Sequence, residues 1–144
     1  MSKPDNQAVL EMCAQSENVS LARVVTSAFI TPLDPTIGEL SDIKTAVSEA
    51  VTNAIIHGYG GKSVGTIALR MSFKGRDITI EVSDSGVGME NIETAREPLF
   101  TTKPELERSG LGFTVMESFM DNVEVKSALG AGTTVTMTKT LKEQ

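Results

Sequence analysis

Between residues 38 and 83 the spacing of apolar side chains changes from a helical period to a strand period, and glycines mark the change. Leu40, Ile43, Val47, Ala50, Val51 and Ala54 recur every three to four residues, the stripe of a helix running from about Gly38 to His57. Gly58-Tyr59-Gly60-Gly61 ends it, glycine being the residue that most readily leaves helical geometry. Two strands are then expected, Gly65 to Lys74 and Asp77 to Ser83, with Gly75-Arg76 as the turn between them. Ile78, Ile80 and Val82 alternate with Thr79 and Glu81, so one face of that strand is buried. A long amphipathic helix that feeds a hairpin must cover one face of the sheet the hairpin starts.

The rest of the chain extends this plan. Ala8 to Ala14 is a short apolar patch, read as a strand or an irregular lead-in. Ser16 and Asn18 are candidate caps for a helix carrying Leu21, Val24, Val25, Ala28 and Phe29, which Thr31-Pro32-Leu33-Asp34-Pro35 breaks. Leu111 to Met120 reads as a further helix. Asn122 to Ser127 and Thr133 to Leu141 read as a closing hairpin around Gly130-Ala131-Gly132. The expected fold is a two-layer α/β sandwich, with a mixed, largely antiparallel sheet and helices on one face. One domain over residues 1–144 is expected from the length of 144 residues. Residues 89–109 lose all periodicity and include Pro98 and Pro104, and a loop that long in a small domain points to a functional segment.

Composition narrows the partners. The net charge of −6 opposes a general nucleic-acid grip, because neutralising phosphates takes a surplus of Lys and Arg. Aromatic residues make up 4% with no Trp, so an aliphatic, methionine-rich core is expected from the 7 methionines. Cys13 is the one cysteine, which excludes an intrachain disulfide and a thiolate metal cluster. The first residues lack the apolar run of a signal peptide, and no stretch approaches the roughly 20 apolar residues of a membrane span. A cytoplasmic protein with no membrane association is expected.

Three short motifs carry chemistry. Glu49 and Asn53 are four apart, one turn along a helix, so an amide oxygen suited to Mg2+ lies beside a carboxylate able to accept a proton. Ile56 on the same side indicates that this face is covered. Asp84 closes a strand ahead of a turn built on Gly86 and Gly88, where a carboxylate could accept a hydrogen bond from an adenine amino group. In Ser109-Gly110-Leu111-Gly112, backbone N–H groups opening a helix would suit phosphate. Lys103 and Arg108 in the preceding loop are candidates for the terminal phosphates, and the Thr133 hydroxyl is a candidate for the adenine pocket. Each motif alone also has an ordinary reading, as a solvated helix face, a plain Asp-Ser-Gly turn or a helix start. Their order and spacing together point to a nucleotide site. His57, the sole histidine, sits where a positive charge favours a helix C-terminus. Arg23 is a surface charge on the first helix, with a partner contact as the alternative.

These motifs resemble the N-box, adenine box and second glycine box of the GHKL ATPase superfamily, whose members share the Bergerat fold. Residues 48–59, Ser-Glu-Ala-Val-Thr-Asn-Ala-Ile-Ile-His-Gly-Tyr, look like the N-box of the anti-sigma factor serine kinases, especially the sporulation branch. Residues 98–103, Pro-Leu-Phe-Thr-Thr-Lys, resemble the start of the lid shared with histidine kinases. The chain lacks an added glycine usual in the histidine kinases' second box and has no room for their dimerisation helix and phosphoacceptor. The resemblance implies ATP/ADP and Mg2+ as cofactors. It also implies a sigma-F-like sigma factor as a bound partner, an anti-anti-sigma protein as serine substrate, and a homodimer. Asn53 would then hold Mg2+, Glu49 would be the base, Asp84 would read adenine, and residues 89–110 would form the ATP lid. The alternatives are a general-stress anti-sigma kinase, a nucleotide-gated binding module without transfer, and an ATP-hydrolysing clamp.

Overall fold

A computed structural model describes residues 3–60, 65–86 and 112–143. The candidate residues Gly88, Lys103, Arg108, Ser109, Gly110 and Leu111, and the lid assigned to residues 89–110, lie outside the described residues.

The expected strands form one sheet. Strands β1 (Asn6–Cys13), β2 (Thr66–Lys74), β3 (Asp77–Asp84), β4 (Asn122–Ala128) and β5 (Gly132–Thr140) assemble in the order β1-β2-β3-β5-β4. Every pairing among the described residues is antiparallel, so the largely antiparallel sheet that was expected has no parallel pair here. The lead-in to the chain is therefore a full strand, and its partner, β2, is more than fifty residues away in sequence. Gly75 takes a left-handed φ of 58° in the β2–β3 turn, and Gly130 and Gly132 take 82° and 86° in the β4–β5 turn. These are conformations that a Cβ penalises.

Three helices lie along the described chain: α1 (Asn18–Ile30), α2 (Ile37–Asn53) and α3 (Gly112–Phe119). Helix α2 contacts α1 on one side and α3 on the other and packs on β3. Alternation along the strands puts Ile67, Leu69 and Met71 of β2 and Ile78, Ile80 and Val82 of β3 under the helices, all at most 2% exposed. Ile43, Ala46, Val47, Ala50 and Val51 of α2 meet them. All five described methionines, Met12, Met71, Met116, Met120 and Met137, are buried in this core, where a flexible thioether fills gaps between branched neighbours. Among the described residues no helix is long and apolar enough to cross a membrane.

Two helix starts differ from expectation. Neither Ser16 nor Asn18 caps α1 with its side chain. Glu17 is already helical at φ −64° and ψ −21°, and backbone turns, Asn18 N–H to Gln15 O and Val19 N–H to Ser16 O, satisfy the first donors instead. The Asn18 amide is used to donate back to the Cys13 carbonyl at 2.8 Å, tying α1 to the end of β1. Helix α2 carries a capping box that the Thr36-x-x-Glu39 spacing advertises and that periodicity alone passes over. Thr36 Oγ1 accepts from Glu39 N–H, and Glu39 Oε1 accepts from Thr36 N–H.

The other Glu39 oxygen, Oε2, accepts from Lys142 N–H at 2.8 Å, so the same carboxylate fastens the end of the chain to the helix. Those two backbone donors hold its pKa below the ordinary 4.5. A depressed carboxylate stabilises the fold above the unfolded value, and that contribution is lost as pH falls through the folded one. Glu39→Gln keeps one acceptor and turns an NH2 toward the other N–H. A loss of about 2 kcal/mol is expected from the range for hydrogen bonds to charged groups. It should appear as a lower urea midpoint at neutral pH with an unchanged slope, and the difference from the parent should shrink in acid.

Candidate active site

Glu49 and Asn53 both lie on the last turns of α2 and are half-buried, as the covering Ile56 implied. At Asn53 the helix does not simply stop. Ala54–Gly58 winds as a π turn, wider than the α-helix before it, and Ala54 N–H is shared between the Ala50 and Val51 carbonyls. Such single π turns concentrate at functional positions because they re-aim side chains without ending the helix. Here the turn carries the chain from Asn53 to Gly58, which rests on the Asp84 carboxylate.

Glycines make the close approaches possible. A Cβ on Gly58 would stand 2.8 Å from Asp84 Oδ1 and 2.9 Å from its Cγ. A Cβ on Gly86 would collide with the Gly58 backbone, and one on Gly132 would collide with the Asp84 carbonyl. Asp84, Gly86, Gly58 and Gly132 thus converge with nothing but backbone and one carboxylate between them. Across the sheet, Asp84 pairs with Thr133 and Thr133 pairs with Ser127, so these three side chains form one row on the helix-covered face. Thr133 Oγ1 lies 2.7 Å from Ser127 Oγ, which also reaches the Gly132 carbonyl at 3.1 Å. The fold brings Asp84, Gly86 and Thr133 together at one end of the sheet.

Burial pushes the Asp84 carboxyl above its ordinary 3.8, and the backbone N–H groups of Gly86 and Thr133 offset part of that rise. Gly86 N–H donates to Oδ1 at 2.8 Å. A recessed carboxylate that accepts from two backbone N–H groups still has lone pairs for a ligand N–H, which is what an exocyclic amino group supplies.

The second cluster is at the start of α3. A Cβ on Gly112 would stand 2.8 Å from Asn53 Nδ2 and 3.2 Å from Oδ1, so the absence of a side chain leaves the amide its room. Among the described residues no group of three or more His, Cys, Asp or Glu could hold a metal. A lone amide oxygen fits a small hard cation that takes its other ligands from phosphates and water, and does not fit a metal caged by protein. Gly112→Ala tests the cradle. The atoms in the way belong to the tip of a side chain, and alanine in a helix is favoured over glycine, so the melting temperature should hold or rise. Mg-ATP affinity should fall about tenfold as the Asn53 amide is displaced. A parallel loss of stability and affinity in calorimetry would assign Gly112 to packing alone.

Sequence reasoning passed over Gly58, read only as a helix terminator, and Gly132, read only as a turn residue. Positive-φ geometry at Gly132 was legible from its hairpin position; the contact of Gly58 with Asp84 had no local signal. Arg23 lies apart from both clusters, exposed on α1 beside the exposed Leu21 and Val24.

Comparison with known proteins bears on this arrangement. Residues 12–139 match the histidine kinase-like ATPase domain. The chain is 59% identical over 135 residues to the anti-sigma F factor of Clostridium perfringens (strain SM101 / Type A), covering 94% of this chain and 96% of that one. It is 56% identical over 135 residues to the anti-sigma F factor of Clostridium acetobutylicum, covering 94% of each chain. With the anti-sigma F factor of Anoxybacillus flavithermus it shares 53% over 136 residues, covering 94% of this chain and 93% of that one. Among solved structures, the RsbU and RsbW domains of Rv1364c from Mycobacterium tuberculosis superpose with a TM-score of 0.69 at 21% identity, over 96% of this chain and 32% of that one. The catalytic domain of the histidine kinase ThkA gives 0.58 at 16% identity, over 93% of this chain and 96% of that one. These two establish a shared fold. A family match over most of the chain, and relatives more than half identical along nearly their whole length, leave one assignment: the chain belongs to the histidine kinase-like ATPases and, within them, to the anti-sigma F factor family.

Proposed function

We propose that the protein binds and restrains a sigma factor, and that it is also an ATP-dependent serine kinase acting on the antagonist of that restraint, an anti-anti-sigma protein. The observation that supports the kinase reading is that one helix end joins two clusters, Glu49 with Asn53 and Gly58 with Asp84. Glu49 and Asn53 stand on its final α turns, and Gly58, at the end of its π turn, backs the Asp84 carboxylate.

In this reading Asp84 accepts a hydrogen bond from the adenine amino group, and Thr133 lines the same pocket. Asn53 contributes an amide oxygen toward Mg2+, whose charge would offset that of the phosphates. Glu49, one turn earlier, takes the proton of the acceptor serine hydroxyl as its oxygen bonds to the γ-phosphorus and the bond to the β–γ bridging oxygen breaks, releasing ADP. Positioning and charge stabilisation supply most of the acceleration in phosphoryl transfer, so a modest base in the right place suffices. Gly88 is proposed to belong with Gly86 to the turn after Asp84, and Lys103, Arg108, Ser109, Gly110 and Leu111 to complete the phosphate site, with residues 89–110 as its lid. A cytoplasmic homodimer is part of the same proposal.

The test is transfer of labelled γ-phosphate from ATP with Mg2+ to candidate anti-anti-sigma proteins. Labelling on serine supports the kinase. Tight ATP binding with no labelling of any candidate would move the reading to a nucleotide-gated binding module.

For the sigma-binding surface, the exposed face of α1 supports a role for Arg23. Leu21 at 42% and Val24 at 65% exposure, three residues apart, share one exposed face of α1, and exposed Arg23 sits at its margin. Arginine is among the residue types that dominate interfaces. Arg23→Glu is expected to weaken partner binding at least tenfold, while ATP binding stays intact. Unchanged affinity for both partners in titration calorimetry would exclude this face.

A further inference from the structure

Tyr59 follows the π turn and plays no part in the chemistry assigned above. Its hydroxyl donates to the Thr66 carbonyl at 2.7 Å and accepts from Ser85 N–H at 2.8 Å. Thr66 opens β2, and Ser85 comes directly after the last residue of β3, so one phenol ties the ends of two neighbouring strands to the end of α2. The ring lies against Gly65, where a Cβ would stand 2.5 Å from Cζ and 2.9 Å from the hydroxyl oxygen.

The Ser85 N–H belongs to the peptide that leaves Asp84, and the next N–H, that of Gly86, donates to the Asp84 carboxylate. The Asp84-Ser85-Gly86 turn is therefore held from two sides. The backbones of Gly58 and Gly132 press on it, and the Tyr59 hydroxyl anchors it. Without that hydroxyl, the Ser85 amide loses its acceptor and the turn loses its tether to the end of α2. The carboxylate at its head can then shift by the few tenths of an ångström that separate a good hydrogen bond from a poor one.

We propose that Tyr59 is a positioning residue for base recognition, setting the Asp84–Gly86 turn and with it the preference for adenine over guanine. This rests on the reading of Asp84 as the adenine contact. The effect belongs to the base end of the site, because Glu49 and Asn53 precede the π turn and Tyr59 follows it.

Tyr59→Phe keeps the ring over Gly65 and deletes only the hydroxyl. ATP affinity should fall roughly fivefold to tenfold, the range for one hydrogen bond. GTP affinity should stay unchanged, so the ATP-to-GTP ratio falls by the same factor. Inorganic triphosphate should compete equally well on both proteins, and kcat at saturating ATP should hold. Gly65→Ala provides a second route, since it pushes the ring away without altering Tyr59, and the same selective loss is expected. A merely structural Tyr59 would lower the melting temperature and weaken ATP, GTP and triphosphate together, which would overturn the inference. So would a parent protein that prefers ATP while both variants keep the preference intact. A parent protein with no preference for ATP over GTP would instead overturn the underlying assignment of Asp84.

Discussion

Glu49→Gln should leave ATP bound and slow phosphoryl transfer by about 10²–10⁴-fold, the range for removing a general base. The substitution is nearly isosteric, keeps an oxygen and a half-buried polar side chain on α2, and removes only the capacity to take a proton. Ground-state contacts to nucleotide survive, so the dissociation constant for Mg-ATP should change less than about threefold. Single-turnover transfer to an anti-anti-sigma substrate, run beside ATP titration of the same preparation, separates the two quantities. Equal losses in both would make Glu49 a structural residue of the helix end. Full transfer by the variant would falsify its assignment as base.

Asp84→Asn carries the other large expected effect, and here function and stability should move in opposite directions. The carboxylate is partly buried, and its ionised form is disfavoured by that burial despite the Gly86 and Thr133 N–H groups. A carboxyl whose pKa is raised on folding contributes stability that is complete below the unfolded value of 3.8 and is lost as pH rises through the folded one. At neutral pH the charge is therefore a cost to the fold, and Asn should leave the melting temperature equal or higher. The same change replaces an acceptor-only group by one with an NH2, which cannot accept from the adenine amino group. ATP affinity should drop about tenfold to a hundredfold, as expected for a hydrogen bond to a charged acceptor. For the parent protein, ATP binding should also weaken as pH is lowered from neutrality toward the raised pKa, and this dependence should be absent in the Asn variant. A variant that is destabilised at neutral pH, or that binds ATP as tightly as the parent, would remove Asp84 from this role. The opposing signs follow a common pattern, in which a site keeps a group the fold would rather discard.

The glycines divide into two kinds that the sequence alone cannot separate. Gly112 faces the tip of the Asn53 side chain, which can swing away, whereas Gly86 faces the Gly58 backbone, which cannot. An added methyl therefore disturbs ligand binding at the first and the fold at the second. Glu39 shows the same dependence on context. Its capping box is local and readable, but its second oxygen holds Lys142, and that contact exists only because the chain's end returns to α2.

What the sequence determined was whatever depends on neighbours along the chain. The 3.6-residue stripe of α2, the alternation of β3, the Gly75-Arg76 turn and the pairing of Glu49 with Asn53 are set by spacing, because side chains one turn or two residues apart share a face whatever surrounds them. The family motifs were legible for the same reason. What the tertiary structure decided was whatever depends on segments meeting from far apart. It made an uncertain lead-in the strand β1, because the exposed edge of β2 offers it eight residues of ladder. It placed β5 between β3 and β4, which set Thr133 opposite Asp84. It wound Ala54–Gly58 into a π turn, a rare geometry, and set Gly58 against Asp84 and Gly86. No residue in that stretch signals the π turn, and the groups Gly58 rests on, Asp84 and Gly86, lie more than twenty residues further along the chain.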